Sequence, residues 1–86
     1  MVDHATHLKA VNHPIRRQIL NFVNESRKIS RAILIDKLKD AKIINEDNVF
    51  QYNMDFLVQA ECVKKVEVNN EIFYEILPAG KVIEKF

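Results

Sequence analysis

A mostly helical α+β domain, in which helices are followed by a β-hairpin and a short closing helix, is what this 86-residue sequence predicts. Three observations carry the prediction. Apolar residues recur at i, i+3, i+4 spacing through the first two thirds of the chain, the period of a helix with one buried face. Helix-starting residues (Pro14, Ser30 and Asn45) precede these runs. Two alternating runs, "VKKVEV" and "EIFYEIL", then flank Asn69-Asn70, as in a hairpin.

The elements follow in order. His4 to Val11 places Ala5, Leu8 and Val11 on one side and reads as a short helix. In "NHPIRRQILNFVNE", Pro14 suits the first helical position, with His13 near the cap. Ile15, Ile19, Phe22 and Val23 then form the apolar stripe, leaving Arg16, Arg17, Asn21 and Asn24 outside it. Glu25 to Lys28 read as a polar turn, and Ser30 caps a helix through Ile33, Leu34 and Leu38 that ends near Asp40. "DAKIIN" leads to a further helix over Glu46–Ala60, capped by Asn45, with Glu46 and Asp47 at its positive end. For the hairpin, a three-residue loop through Glu71 pairs Val68 with Ile72, Val66 with Tyr74 and Lys64 with Ile76. It sets Lys65 against Glu75 and keeps one face apolar. After Pro78, "AGKVIEKF" reads as a terminal helix. Helix, helix, helix, helix, hairpin, helix is the order of a winged helix-turn-helix, and residues 1–86 read as one such domain.

Composition narrows the function classes. An apolar content of 48% suffices for one small core. No apolar run is long enough for a membrane span, and no secretory signal pattern appears. The lone Cys62 cannot form an internal disulfide and reads as a small hydrophobe, so a reducing, cytoplasmic setting is expected. Net charge is only +1, but residues 1–43 hold nine basic and four acidic side chains. Residues 44–63 hold four acids and no base. The positive half suits a phosphate-facing patch or a solvated helical face. Arg16-Arg17 suit a backbone clamp, a solvated face, or donors to Asp36 or Glu25. No nucleophile–base spacing or phosphate-cradling glycine loop is present, since Gly80 is the single glycine, so an enzyme is not expected. His4 and His7 have metal-compatible spacing but no cysteine cluster beside them, and no cofactor is called for.

"LKAVNHPIRRQIL" resembles the opening of ArsR-type winged-helix regulators, which read like "L..L.hP.R..IL". "FQYNMDFLVQAECV" is similar to their recognition-helix pattern, "VSYHLKKLEEAGLV", with Phe50, Met54, Leu57, Ala60, Cys62 and Val63 on the apolar positions. "FYEILPAGKVIEKF" is similar to the closing "YYSLTPEGRELLE" of many such regulators. The resemblance implies a sequence-specific regulator of double-stranded DNA, usually a homodimer, with the helix after the turn in the major groove and the hairpin as wing. Carried over, the base-reading face is Asn48, Gln51, Tyr52 and Asp55. Arg16, Arg17, Arg27, Lys28 and Arg31 contact the DNA backbone from the earlier helices, and Lys64 and Lys65 from the wing. Dimer or partner contacts fall on Leu8, Val49, Phe56, Val82, Ile83 and Phe86.

The sequence departs from the pattern in four places. The turn before the helix is about five residues longer than usual. The two basic positions of "HLKKL" are Asp55 and Phe56, the glycine before the wing is Glu61, and the wing tip Asn69-Asn70-Glu71 lacks a base. Val49, Tyr52 and Phe56 also form a second apolar stripe. An alternative follows from it: a protein-interaction module of a transcription-related complex, with weak or no DNA binding.

Overall fold

The structure, a computed structural model, describes residues 4–81. Its elements are α1 (His4–Val11), α2 (Pro14–Ser26), β1 (Lys28–Ser30), α3 (Arg31–Asp40), α4 (Asp47–Gln59), β2 (Val63–Val68), β3 (Glu71–Ile76) and α5 (Pro78–Lys81). The helical order matches the expectation through α4. The expected terminal helix past Lys81, with Val82, Ile83 and Phe86, lies outside the described residues, as do the side chains of His4 and His7.

Local chemistry explains the helix ends. His13 is the N-cap of α2, its Nδ1 accepting from the Ile15 N–H at 3.2 Å. Ser30 Oγ does the same for α3, accepting from Ile33 N–H at 3.2 Å. α4 begins one residue later than expected. Glu46, not Asn45, holds its cap position, and without a side-chain cap bond. Asp47, the first residue of α4, meets Lys39 Nζ at 2.6 Å, an exposed pair between the start of α4 and the end of α3. The Lys39 ammonium, as hydrogen-bond donor and as charge, holds the exposed Asp47 carboxyl below the usual aspartate range.

α3 and α4 end in the same manner. After α3, Lys42 N–H donates to Lys39 C=O and Ile43 N–H to Leu38 C=O, with Lys42 at φ 61°. After α4, Glu61 N–H donates to Val58 C=O and Cys62 N–H to Leu57 C=O, with Glu61 at φ 59°. Both are Schellman closures with a non-glycine residue in the left-handed region. Glu61 is exposed, so Glu61→Gly is expected to stabilise the fold by ~0.5–1 kcal/mol, less the entropy glycine adds to the unfolded chain. A urea midpoint at or below that of the parent chain would count against strain at this closure.

The sheet has three antiparallel strands in the order β1-β3-β2. β1 corrects the reading of Glu25–Lys28 as a plain polar turn: Lys28–Ser30 pair with Glu75–Phe73, and Ile76 N–H donates to Arg27 C=O. So short a strand, with Ile29 as its one large apolar side chain, carries no detectable alternation.

The hairpin register is also corrected. Val68 pairs with Glu71, Glu67 with Ile72, Val66 with Phe73, Lys65 with Tyr74 and Lys64 with Glu75. The loop is the two residues Asn69 and Asn70, at φ 51° and 66°. Asparagine tolerates two successive left-handed residues, the geometry of a type I′ turn. Keeping one face apolar does not set the register, because β2 is exposed or half-exposed along all but Val63 and no buried face disciplines it.

The core joins Ile19, Leu20 and Val23 of α2, Leu34, Ile35 and Leu38 of α3, Phe50, Met54 and Leu57 of α4, and Val63, Tyr74 and Ile76 of the sheet. Phe50 and Tyr74 meet edge to face, with centroids 5.9 Å apart. Cys62 is fully buried, and burial pushes its thiol up to about 11, as a packing residue requires.

Two faces differ from expectation. The buried stripe of α2 is Arg16, Ile19, Leu20 and Val23, with Ile15 and Phe22 at its margins. That of α4 is Phe50, Asn53, Met54 and Leu57. Each has i, i+3, i+4, i+7 spacing and one polar member. Those two members satisfy each other, Arg16 Nε donating to Asn53 Oδ1 at 3.0 Å.

Candidate nucleic-acid interface

With that stripe buried, α4 turns Asn48, Tyr52, Asp55 and Gln59 to solvent, a row spaced i, i+4, i+7, i+11. Tyr52 is 63% exposed. Gln51, expected on the same row, is half-buried at its edge and engaged on both sides of its amide. Arg31 Nε donates to Gln51 Oε1 at 3.3 Å, and Gln51 Nε2 donates to Asp55 Oδ1 at 2.8 Å. Gln59 extends the row one turn past the expected set.

The other face of this surface is the sheet. Ile29, Tyr74 and Lys65 share one side across the three strands, and Lys28, Glu75 and Lys64 share the other. Phe50 packs on Tyr74, so the Tyr74 side faces α4 and Lys65 lies on it. Arg31, at the start of α3, sits 5.6 Å above the Phe50 ring. Burial raises the Tyr74 phenol above its ordinary value, the Asp55 carboxylate adds to the shift, and Arg31 opposes it. Arg31, Gln51 and Asp55 therefore run as a hydrogen-bonded row from α3 across α4, with Lys65 beyond the tyrosine.

The expected backbone contacts separate into two groups. Arg27, Lys28, Lys64 and Lys65 are exposed and Arg31 is half-exposed. Lys28 Nζ lies 5.5 Å from the Phe73 ring on the outer side of the sheet. Arg16 is a correction. It is 6% exposed, and its Nη1 donates to Lys9 C=O at 2.9 Å while its guanidinium lies 4.0 Å over the Phe56 ring. Those bonds close the last turn of α1 and hold it against α4, so Arg16 offers nothing to a phosphate in this arrangement. Arg17 is half-buried. Its Nε donates to Val11 C=O at 3.2 Å and its Nη2 to Asn12 Oδ1 at 3.0 Å, so it also serves the α1–α2 junction.

Phe56 and Val49 are half-buried. Tyr52 meets Phe56 edge to face at 5.2 Å, and Arg16 covers the Phe56 ring. The second apolar stripe is thus partly satisfied within the chain, leaving Tyr52 as its open part. Leu8 of α1 is 44% exposed. Asn53 is the residue that sequence reasoning missed. A lone asparagine at a core position of α4 was the available signal, since a buried amide needs a partner. Among the described residues no group of three or more His, Cys, Asp or Glu gathers as a metal site would require. No described helix is long and apolar enough to cross a membrane.

No protein-family model matches the chain, and no curated protein matches it. Solved structures do match its shape. The transcriptional repressor PagR of Bacillus anthracis superimposes with a TM-score of 0.78 at 22% identity, over 94% of this chain and 88% of that one. HlyU from Vibrio cholerae gives 0.77 at 19% identity, over 94% and 84%. An ArsR family transcriptional regulator gives 0.71 at 14% identity, over 99% and 86%. The winged helix-turn-helix implied by the motifs is therefore the fold of this chain.

Proposed function

From that shared fold we propose that the chain is a non-enzymatic, DNA-binding transcriptional regulator of the ArsR type, forming one domain and acting as a homodimer. The observation that carries the reading is the outward row of α4. It is an exposed row of Asn48, Tyr52, Asp55 and Gln59, backed by the Arg16–Asn53 bond and bordered by cations on neighbouring elements. In this reading Asn48, Tyr52 and Asp55 meet base edges in the major groove, with Gln51 holding Asp55 in place. Arg31, Lys65, Lys28 and Arg27 meet phosphates, and Lys64 lies at the base of the wing on the same side of the sheet as Lys28. The acids of α4 then need no phosphate nearby. Asp47 is held by Lys39, and Asp55 faces bases. Leu8 and the residues beyond Lys81, among them Val82, Ile83 and Phe86, form the contact between copies.

Lys65→Ala tests the assignment of roles. It should weaken binding to all duplexes alike and lower the slope of log Kobs against log salt by about 0.9, as loss of one phosphate contact does. A change confined to one DNA sequence, or an unchanged slope, would remove Lys65 from the interface. The second reading, a protein-docking surface, is favoured by the open Tyr52 ring alone. It predicts that Tyr52→Ala abolishes capture of a partner protein while leaving duplex binding as it was.

A further inference from the structure

The outward row of α4 has an acid where a DNA-reading helix would be expected to have a base or an amide, and its hydrogen bonds suggest what that acid is for. Gln51 has its carbonyl oxygen on Arg31 and its amide nitrogen on Asp55, so it does not present a free donor–acceptor pair to an adenine. Asp55 receives that bond on Oδ1, is exposed, and stands one turn from Tyr52 and two from Asn48. Gln51 fixes the carboxylate's direction, and Arg31 stands behind it. The group displayed is a positioned acceptor with a negative charge.

In the major groove, guanine shows two acceptors and thymine an acceptor and a methyl group. Both repel a carboxylate. Adenine offers a donor, but the N7 lone pair lies beside it. Cytosine offers its N4 amino donor without an adjacent acceptor, and so is the base a carboxylate discriminates for. Resting on the regulator reading above, we propose that Asp55 is a specificity-determining residue that selects cytosine at one position of each half-site, with Arg31 and Gln51 as its positioning residues. The same charge repels phosphate, so this element gains selectivity at the expense of non-specific affinity.

The test is selection from random duplexes, run in parallel on the full chain and on its Asp55→Ala and Asp55→Asn variants. Asp55 is exposed, so both variants are expected to fold, and thermal melting checks this. The parent chain should enrich cytosine at one fixed position, by about 5- to 150-fold over the other bases in single-site measurements. Asp55→Ala should lose that preference while binding unselected duplexes more tightly. Asp55→Asn should move the preference to adenine, which an amide can bond at N6 and N7. Retention of the same cytosine preference in Asp55→Ala, or no cytosine position in the parent selection, overturns the assignment and leaves the regulator reading standing. Failure of the parent chain to bind any duplex at low salt overturns both.

Discussion

Arg16→Ala should destabilise the fold by about 2–4 kcal/mol, lowering the thermal midpoint by on the order of 10–25 °C. The figure reflects what the substitution leaves behind. Asn53 Oδ1 and the Lys9 carbonyl lose their donor, and the Phe56 ring loses the guanidinium at 4.0 Å. Arg16→Lys should recover part of the loss, because an ammonium keeps the charge but not the planar fork that reaches several acceptors. Asn53→Ala should cost less in the Arg16→Ala background than in the parent chain, since the two residues share one bond. A melting curve for Arg16→Ala that overlays the parent's would show that α1 and α4 are not joined through this side chain.

The second large effect is expected at the chain's single glycine. A Cβ at Gly80 would lie 2.4 Å from the Cys62 carbonyl oxygen and 2.8 Å from Ile76 Cδ1. That carbonyl cannot retreat freely, because it accepts from Leu77 N–H at 3.1 Å, the bond that seats α5 beside the end of α4. Gly80→Ala is therefore expected to cost about 1–3 kcal/mol by overpacking. Urea denaturation measures it. A loss within about 0.5 kcal/mol, the scale of an inert surface change, would mean that α5 does not pack as tightly as the geometry requires.

Some of this was legible in the residues and some was not, for physical reasons. Pro14, Ser30 and the apolar period placed the helices, because caps and stripes act over three or four neighbours. The hairpin's existence was equally local. Its register was not, because it turned on whether Asn69 and Asn70 would both take a left-handed backbone and on how little of β2 is buried. Arg16 reads as a surface cation because a charged side chain on a helix normally faces water, whereas its partner Asn53 stands 37 residues away. The buried stripes of α2 and α4 could be read correctly only by allowing each a polar member and pairing the two. For the candidate interface, the sequence identified Asn48, Tyr52 and Asp55 as neighbours but could not show that Gln51 is held between Arg31 and Asp55. That hydrogen-bonded row turns an out-of-place acid into a positioned acceptor.

The central claim is that a helix lacking any lysine or arginine reads duplex DNA because other elements hold the phosphates. Fluorescence anisotropy of the purified chain with a selected duplex, titrated between about 50 and 200 mM salt, tests it most directly. With Arg31, Lys65, Lys28 and Arg27 at phosphates, log Kobs should fall against log salt with a slope of about −3.6 for each bound copy. Binding absent at the low end of that range, or present with a slope near zero, would contradict the claim.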